Sequence, residues 1–389
     1  MAQRMIDSTV FADSKPHYAL LDGLRGMAAL MVVWYHVFEG FAFAGGGSIE
    51  VFNHGYLAVD FFFMLSGFVI SYAYDSRWHS ADSARLNLKS FFRRRLIRLH
   101  PMLIMGATIG VITYCLQGCE RWDGSEVPLW QVLAAWIMAI CFVPMWPGAT
   151  CEVRGNGEMF PLNGPAWSLF FEYIGNILYA LFVRRLSTKL LTAIVVSLGI
   201  GYTAFAVFDA SGYGNMGVGW TLDSINFLGG MLRMLFPFSM GLLLSGNFKP
   251  FKVKGSFWLA SSILIIIFAI PYIPNDGNIC YNGILEAVCV TLIFPILVRL
   301  GASGSTADHK STAICNFLGR ISYPLYMIHY PIMYLFYAWL IENKAPAFAE
   351  TWQAALGVYV TCIILALLCM KLYDEPVREY LAKKFLSRK

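Results

Sequence analysis

Several ionisable residues sit where hydrocarbon should exclude them. Asp22, Arg25 and His36 fall on the apolar span LLDGLRGMAALMVVWYHVFEGFAFA, and Asp60 falls on HGYLAVDFFFMLSGFVISYAY. A charged side chain inside a membrane helix is costly unless it faces a polar interior, so each marks a candidate site. His36 and Asp60 each lie about 8 Å below the same membrane surface, judged by the helical rise per residue. A carboxylate beside an imidazole holds its tautomer and stabilises the imidazolium, which a base that deprotonates a hydroxyl requires. The bland alternative is a pair that only satisfies itself inside the bundle. Glu172, in PAWSLFFE, comes to a similar depth, roughly 10 Å. Arg233 in FLGGMLRMLFPF and His329 in SYPLYMIHYPI complete the intramembrane set. His329 reads either as a second polar wall of a cavity or as a packing residue.

Arg25 precedes His36 by eleven residues, which places it on the same helix face and about 16 Å away along the axis. It therefore belongs near the opposite surface, where Asp22 and Arg25 alone read as a helix-end ion pair. The same surface receives LNLKSFFRRRLIRLHP, with Lys89, Arg93, Arg94, Arg95, Arg98 and His100 among apolar residues. Such a segment can lie on anionic lipid at the interface. It can equally grip a phosphorylated molecule, since guanidinium groups hold phosphates bidentately.

The elements that must position these residues are membrane helices. Of 389 residues 58% are hydrophobic and only 14% charged, with a mean hydropathy of +0.58, more apolar surface than a water-soluble globule can hide. The 30 Phe, 20 Tyr and 11 Trp suit aromatic belts at the bilayer interfaces. The first residues, MAQRMIDSTVFADSKPHY, are polar and carry no apolar core of a cleavable signal.

About eleven apolar runs approach spanning length. If all crossed, Arg184, Arg185, Lys189, Arg299 and Lys310 would face outward, against the positive-inside rule. Making the run at 128–147, bounded by Pro128 and Pro147, re-entrant or interfacial restores the alternation. The expectation is an all-α polytopic membrane protein of about ten spanning helices, both termini cytoplasmic. Residues 1–18 form a cytoplasmic segment, 19–375 the membrane domain and 376–389 a basic tail. Lys249, Lys252 and Lys254 fall inside, while Asp209, Asp223, Asp276, Glu342 and Glu350 fall outside. Among nine cysteines, Cys119 and Cys151 could pair across the outer segment 119–165 in an oxidising compartment, or serve as small apolar side chains. No CxxC or His/Cys cluster suggests a metal.

The order LDGLRG…H, VDFFFMLSGF, FFRRRLIRLHP, PAWSLFFE, ISYPLYMIHYP and YDEPVR resembles the acyltransferase-3 family of integral-membrane O-acyltransferases. The resemblance implies transfer of an acyl group, usually acetyl from cytoplasmic acetyl-CoA, to a hydroxyl of an envelope or exported carbohydrate at the bacterial inner membrane. It places the family's essential histidine on His36, its first-motif arginine on Arg25, its paired arginines on Arg95 and Arg98, and its acidic residue on Glu172. Arg25, Arg95 and Arg98 become candidates for the CoA phosphates. His36 becomes the general base or acyl carrier, with Asp60 or Glu172 orienting it, and Trp167 and His329 become candidates for substrate contacts. The partners so implied are an acyl-CoA, a carbohydrate and membrane lipid, with no nucleic acid and no metal. Two competing readings are a transporter with a His36/Asp60 proton relay, against which the basic cluster and the lack of an inverted repeat argue, and the same enzyme with another donor such as succinyl-CoA.

Overall fold

The computed structural model describes residues 18–386, apart from 48, 50, 79, 81–84, 248–252, 254, 276–278, 305, 307 and 308. Lys249, Lys252, Lys254 and Asp276, used above to orient loops, lie outside the described residues.

Helix α1 (Ala19–Gly45) ends where Gly46 takes a left-handed conformation, φ 65°, that closes the last turn. A short 3₁₀ turn (Gly55–Leu57) leads into α2 (Ala58–Trp78). Helix α3 (Leu88–Leu116) starts from a reciprocal Asn87/Ser90 cap and continues through Pro101. The basic segment is therefore the first turns of a long helix rather than a separate interfacial piece. Helix α4 (Leu129–Ile140) is followed by an irregular stretch and α5 (Ala166–Leu181). Then come α6 (Thr188–Val207), α7 (Ser224–Gly246, capped by Asp223) and α8 (Ser256–Ala269). Helices α9 (Tyr281–Val288) and α10 (Phe294–Ser303) join through a π-helical turn. After α11 (His309–Glu342), helix α12 (Phe348–Cys369) runs through another π-helical turn into α13 (Glu375–Phe385).

Eight of these helices or helix pairs are long and apolar enough to cross a membrane, so the chain is an all-α polytopic membrane protein. Two runs counted from sequence differ. Helix α8 has 14 residues, about 21 Å, while α11 has 34 but its tyrosine, histidine and proline residues dilute its apolar character. Helix α4, with 12 residues, extends only about 18 Å against a hydrocarbon core of ~30 Å. It covers α3 with Val132, Ala135 and Ala139 and turns Leu129, Leu133 and Ile137 outward.

Helix α1 packs along α11, and α2 along α7. The second contact is backbone to backbone: a Cβ on Gly67 would stand 2.0 Å from the Phe238 carbonyl oxygen, and one on Gly241 2.1 Å from that of Met64. Small residues permit such approach where lipid supplies no hydrophobic drive between helices. Helix α12 instead leaves Leu356, Val360, Ile364 and Leu368 exposed at four-residue spacing, a stripe suited to lipid. The Arg93 guanidinium donates to the Phe385 carbonyl at 2.9 Å and ties α13 to α3.

Candidate active site

His36 and Glu39 lie three residues apart on α1 and so share a helix face. His36 Nδ1 stands 2.6 Å from Glu39 Oε2, and that oxygen also accepts from Tyr337 at 2.8 Å and Tyr330 at 3.1 Å. A carboxylate only accepts, so Nδ1 is the donor to Glu39, and in the neutral ring that tautomer leaves the Nε2 lone pair free. Both residues line a cavity of about 240 Å³, with Trp167, Tyr326, Tyr330 and Glu158 among its other walls. Burial pushes the Glu158 carboxyl up to about 7; it accepts from Tyr334 and, at 2.7 Å, from Asn156. An imidazole with a fixed tautomer, opening on a walled cavity, can take a proton from a bound hydroxyl.

Asp60 and Glu172 do not orient His36. Asp60, wholly buried, receives Arg233 at 2.7 and 3.1 Å. Arg233 also donates to the carbonyls of Val218 and Tyr56, at 2.7 and 2.9 Å. The physical reason is charge: an arginine at the centre of α7 needs a carboxylate more than a histidine does. Glu172 accepts from Arg95 at 2.6 Å and from Ser66 at 2.7 Å, toward the arginine end of α3. His329 is fully buried and stacks behind His36, ring centroids 5.2 Å apart, with Nδ1 donating to Leu325 at 3.1 Å. Trp167 does face the cavity, its ring 5.1 Å from the Arg233 guanidinium. Glu39 went unnoticed in the sequence although the spacing HVFE pointed to it.

At the other end of α1, Arg25 donates to Ser322 and the Gly319 carbonyl, both at 2.9 Å, and pairs with Asp22 at 3.0 Å. Arg98 sits in the field of Arg25, Arg95 and Arg378. Arg95 is buried, which argues against its resting on lipid headgroups. Four guanidinium groups from α1, α3 and α13 thus converge, an arrangement that suits a polyanion. Arg378 also pairs with Asp374 at 3.0 Å. Among the described residues no group of three or more His, Cys, Asp or Glu side chains could hold a metal. Cys119 lies 3.7 Å from Cys115, sulfur to sulfur, and Cys119 and Cys151 are both free.

The profile of the acyltransferase-3 family, described as an acyltransferase domain, matches residues 18–371. The chain belongs to the acyltransferase-3 family. This acyltransferase-3 chain is 26% identical over 383 residues to a putative O-acetyltransferase of Staphylococcus aureus, covering 92% of this chain and 57% of that protein. It is 26% identical over 382 residues to the putative peptidoglycan O-acetyltransferase YrhL of Bacillus subtilis, covering 95% and 56%. It is 25% identical over 383 residues to the peptidoglycan O-acetyltransferase OatA of Listeria monocytogenes, covering 94% and 56%. The chain spans little more than half the length of these relatives. No solved structure matches it. Within the acyltransferase-3 domain, His36 with Glu39 occupies one end and the arginine cluster the other.

Proposed function

We propose that this protein is a membrane O-acyltransferase that moves an acetyl group from acetyl-CoA to a carbohydrate hydroxyl. The observation that carries the reading is the His36–Glu39 pair, 2.6 Å apart, on a cavity within a membrane bundle. His36 Nε2 takes the proton of the acceptor hydroxyl while its oxygen bonds to the thioester carbonyl carbon. The carbon–sulfur bond breaks, and the proton passes on to the leaving thiolate, giving CoA and the O-acetyl ester. Walls that exclude bulk water suppress hydrolysis of the thioester.

Arg25, Arg95 and Arg98, with Arg378 beside them, bind the CoA phosphates, and the arm of the donor runs toward His36 past Glu172. The arginine end faces the cytoplasm of a bacterial inner membrane and the His36 end faces outward, with both termini inside. Acetyl rather than a larger acyl group fits the small cavity and the relatives' names.

Membranes carrying the full chain are given radiolabelled acetyl-CoA, and label in the carbohydrate fraction is followed for wild type, His36→Ala and Arg95→Ala/Arg98→Ala. Wild type labels carbohydrate, His36→Ala does not, and the double arginine variant recovers only at raised acetyl-CoA. Labelling that survives His36→Ala would refute the assignment.

A further inference from the structure

The end of α3 brings two cysteines together. Past the C-cap Gln117, Gly118 turns left-handed at φ 89°. The Gly118 amide then donates back to the Cys115 carbonyl and the Cys119 amide to that of Tyr114, both at 3.1 Å. These two bonds make the Schellman closure of a helix, which folds the chain back over its own last turn. The Cys119 sulfur thereby comes within 3.7 Å of the Cys115 sulfur. Cys119 itself stands at φ 58°, a left-handed conformation that suits glycine and that a residue with a Cβ seldom takes. The backbone thus holds a cysteine where local preference would not put one.

A hairpin starts from this point. The Val127 amide donates to the Cys119 carbonyl at 2.8 Å, the Arg121 amide to the Ser125 carbonyl at 2.9 Å, and Glu120 pairs with Glu126. The hairpin carries Trp122, whose amide donates to the Arg154 carbonyl at 3.1 Å and whose side chain forms part of the wall of the His36 cavity. The Trp122 ring also meets the Phe43 ring edge-on, centroids 5.1 Å apart. Cys119 is therefore the root of an element that walls the candidate active site.

The two thiols are placed to react. Cys115 is exposed and Cys119 half-buried, and closing their gap to a bond of ~2.05 Å asks each sulfur to move by less than about 1 Å. Thiols can also serve only as the apolar contact that accompanies such a helix closure. The compartment separates the two cases, because disulfides form and persist outside the cytoplasm.

We propose that Cys115 and Cys119 form a disulfide outside the cytoplasm and that this bond fastens the Trp122 hairpin to the end of α3. The inference rests on the outward placement of the His36 end for its oxidant, which is a protein or small-molecule disulfide. The accessible Cys115 thiolate attacks one sulfur of that disulfide and displaces the other. The Cys119 thiolate then attacks the Cys115 sulfur and releases the oxidant as a dithiol. Two electrons pass to the oxidant, and the two protons shed by the cysteines end on its sulfurs.

Membranes carrying the full chain are isolated in N-ethylmaleimide, and the peptide that bears both cysteines is weighed before and after reduction. It is lighter than the dithiol by two hydrogen atoms and takes up the maleimide only after reduction. Cys151→Ser keeps this bond, and Cys115→Ser abolishes it. A bond between Cys119 and Cys151 instead overturns the proposal. In a second arm the purified, reduced chain in nanodiscs is treated with oxidised glutathione. Thiols that stay free in cells and also resist glutathione overturn the pairing itself. Closure by glutathione with free thiols in cells overturns the outward placement and the bond in cells with it, while leaving the geometry standing. Amide exchange over 119–127 is slower in the oxidised chain than in the reduced chain or Cys115→Ser, by about tenfold or more on the scale of loop-closing disulfides. Equal exchange in all three overturns the fastening of the hairpin.

Discussion

His36 gives one nitrogen to Glu39 and the other to the cavity, so its basicity depends on a carboxylate that also holds two tyrosine hydroxyls. Glu39→Gln keeps the shape but removes the charge that favours the imidazolium. Acetyl transfer should fall by about 10²-fold or more, the scale of general-base catalysis, with the KM for acetyl-CoA unchanged. Initial rates with labelled donor check this; a rate within a few-fold of wild type would remove Glu39 from the machinery. Glu158 gives a pH signature. Its carboxyl, raised to about 7 by burial, holds a proton in the folded state that the unfolded chain releases near ~4.3. Stability therefore falls as pH rises from about 4 to 7 and is level above, a contribution of order 3 kcal/mol. Thermal melting across that window should show the slope in wild type and lose it in Glu158→Gln.

Helix α7 meets α2 through the buried Asp60–Arg233 pair and the glycine contact beside it. Removing one member leaves the other charge stranded in the bundle, which costs about 3–5 kcal/mol. Asp60→Asn and Arg233→Met should each lower the melting temperature sharply, and Asp60→Asn/Arg233→Met should recover much of the loss. A double variant no better than the worse single one would show that the two residues act separately. The 119–165 segment is held in another way. Arg154 is packed over Tyr334, Tyr114 and Trp122, at 3.8, 4.6 and 5.0 Å from their ring centres, and donates to the Pro161 carbonyl and to Gln117. That clamp fixes the loop that carries Glu158 and Asn156 over His36.

Across the whole molecule, the two ends of α1 differ in chemistry, arginines at one and the His36 cavity at the other. A reaction between an anionic donor and a neutral acceptor from opposite compartments needs such a division. The arrangement has a topological consequence under the positive-inside rule. Reporter fusions after Arg185 and after Lys310 should report the cytoplasm, and one after Glu342 the outside. Outer signals from the first two would invert the assignment of donor and acceptor ends.

Membrane class, the helix runs and the presence of His36 and the arginines were legible in the sequence, because an apolar run of spanning length and a charge inside it announce themselves locally. The short span of α4 was legible as well, through the loop charges it would have misplaced. Partner choice was not. Asp60 and Glu172 both lay at plausible depth for His36, and depth is one coordinate where a hydrogen bond needs three. Rotation of α2 against α7 carried Asp60 to Arg233, and the pitch of α5 carried Glu172 to Arg95.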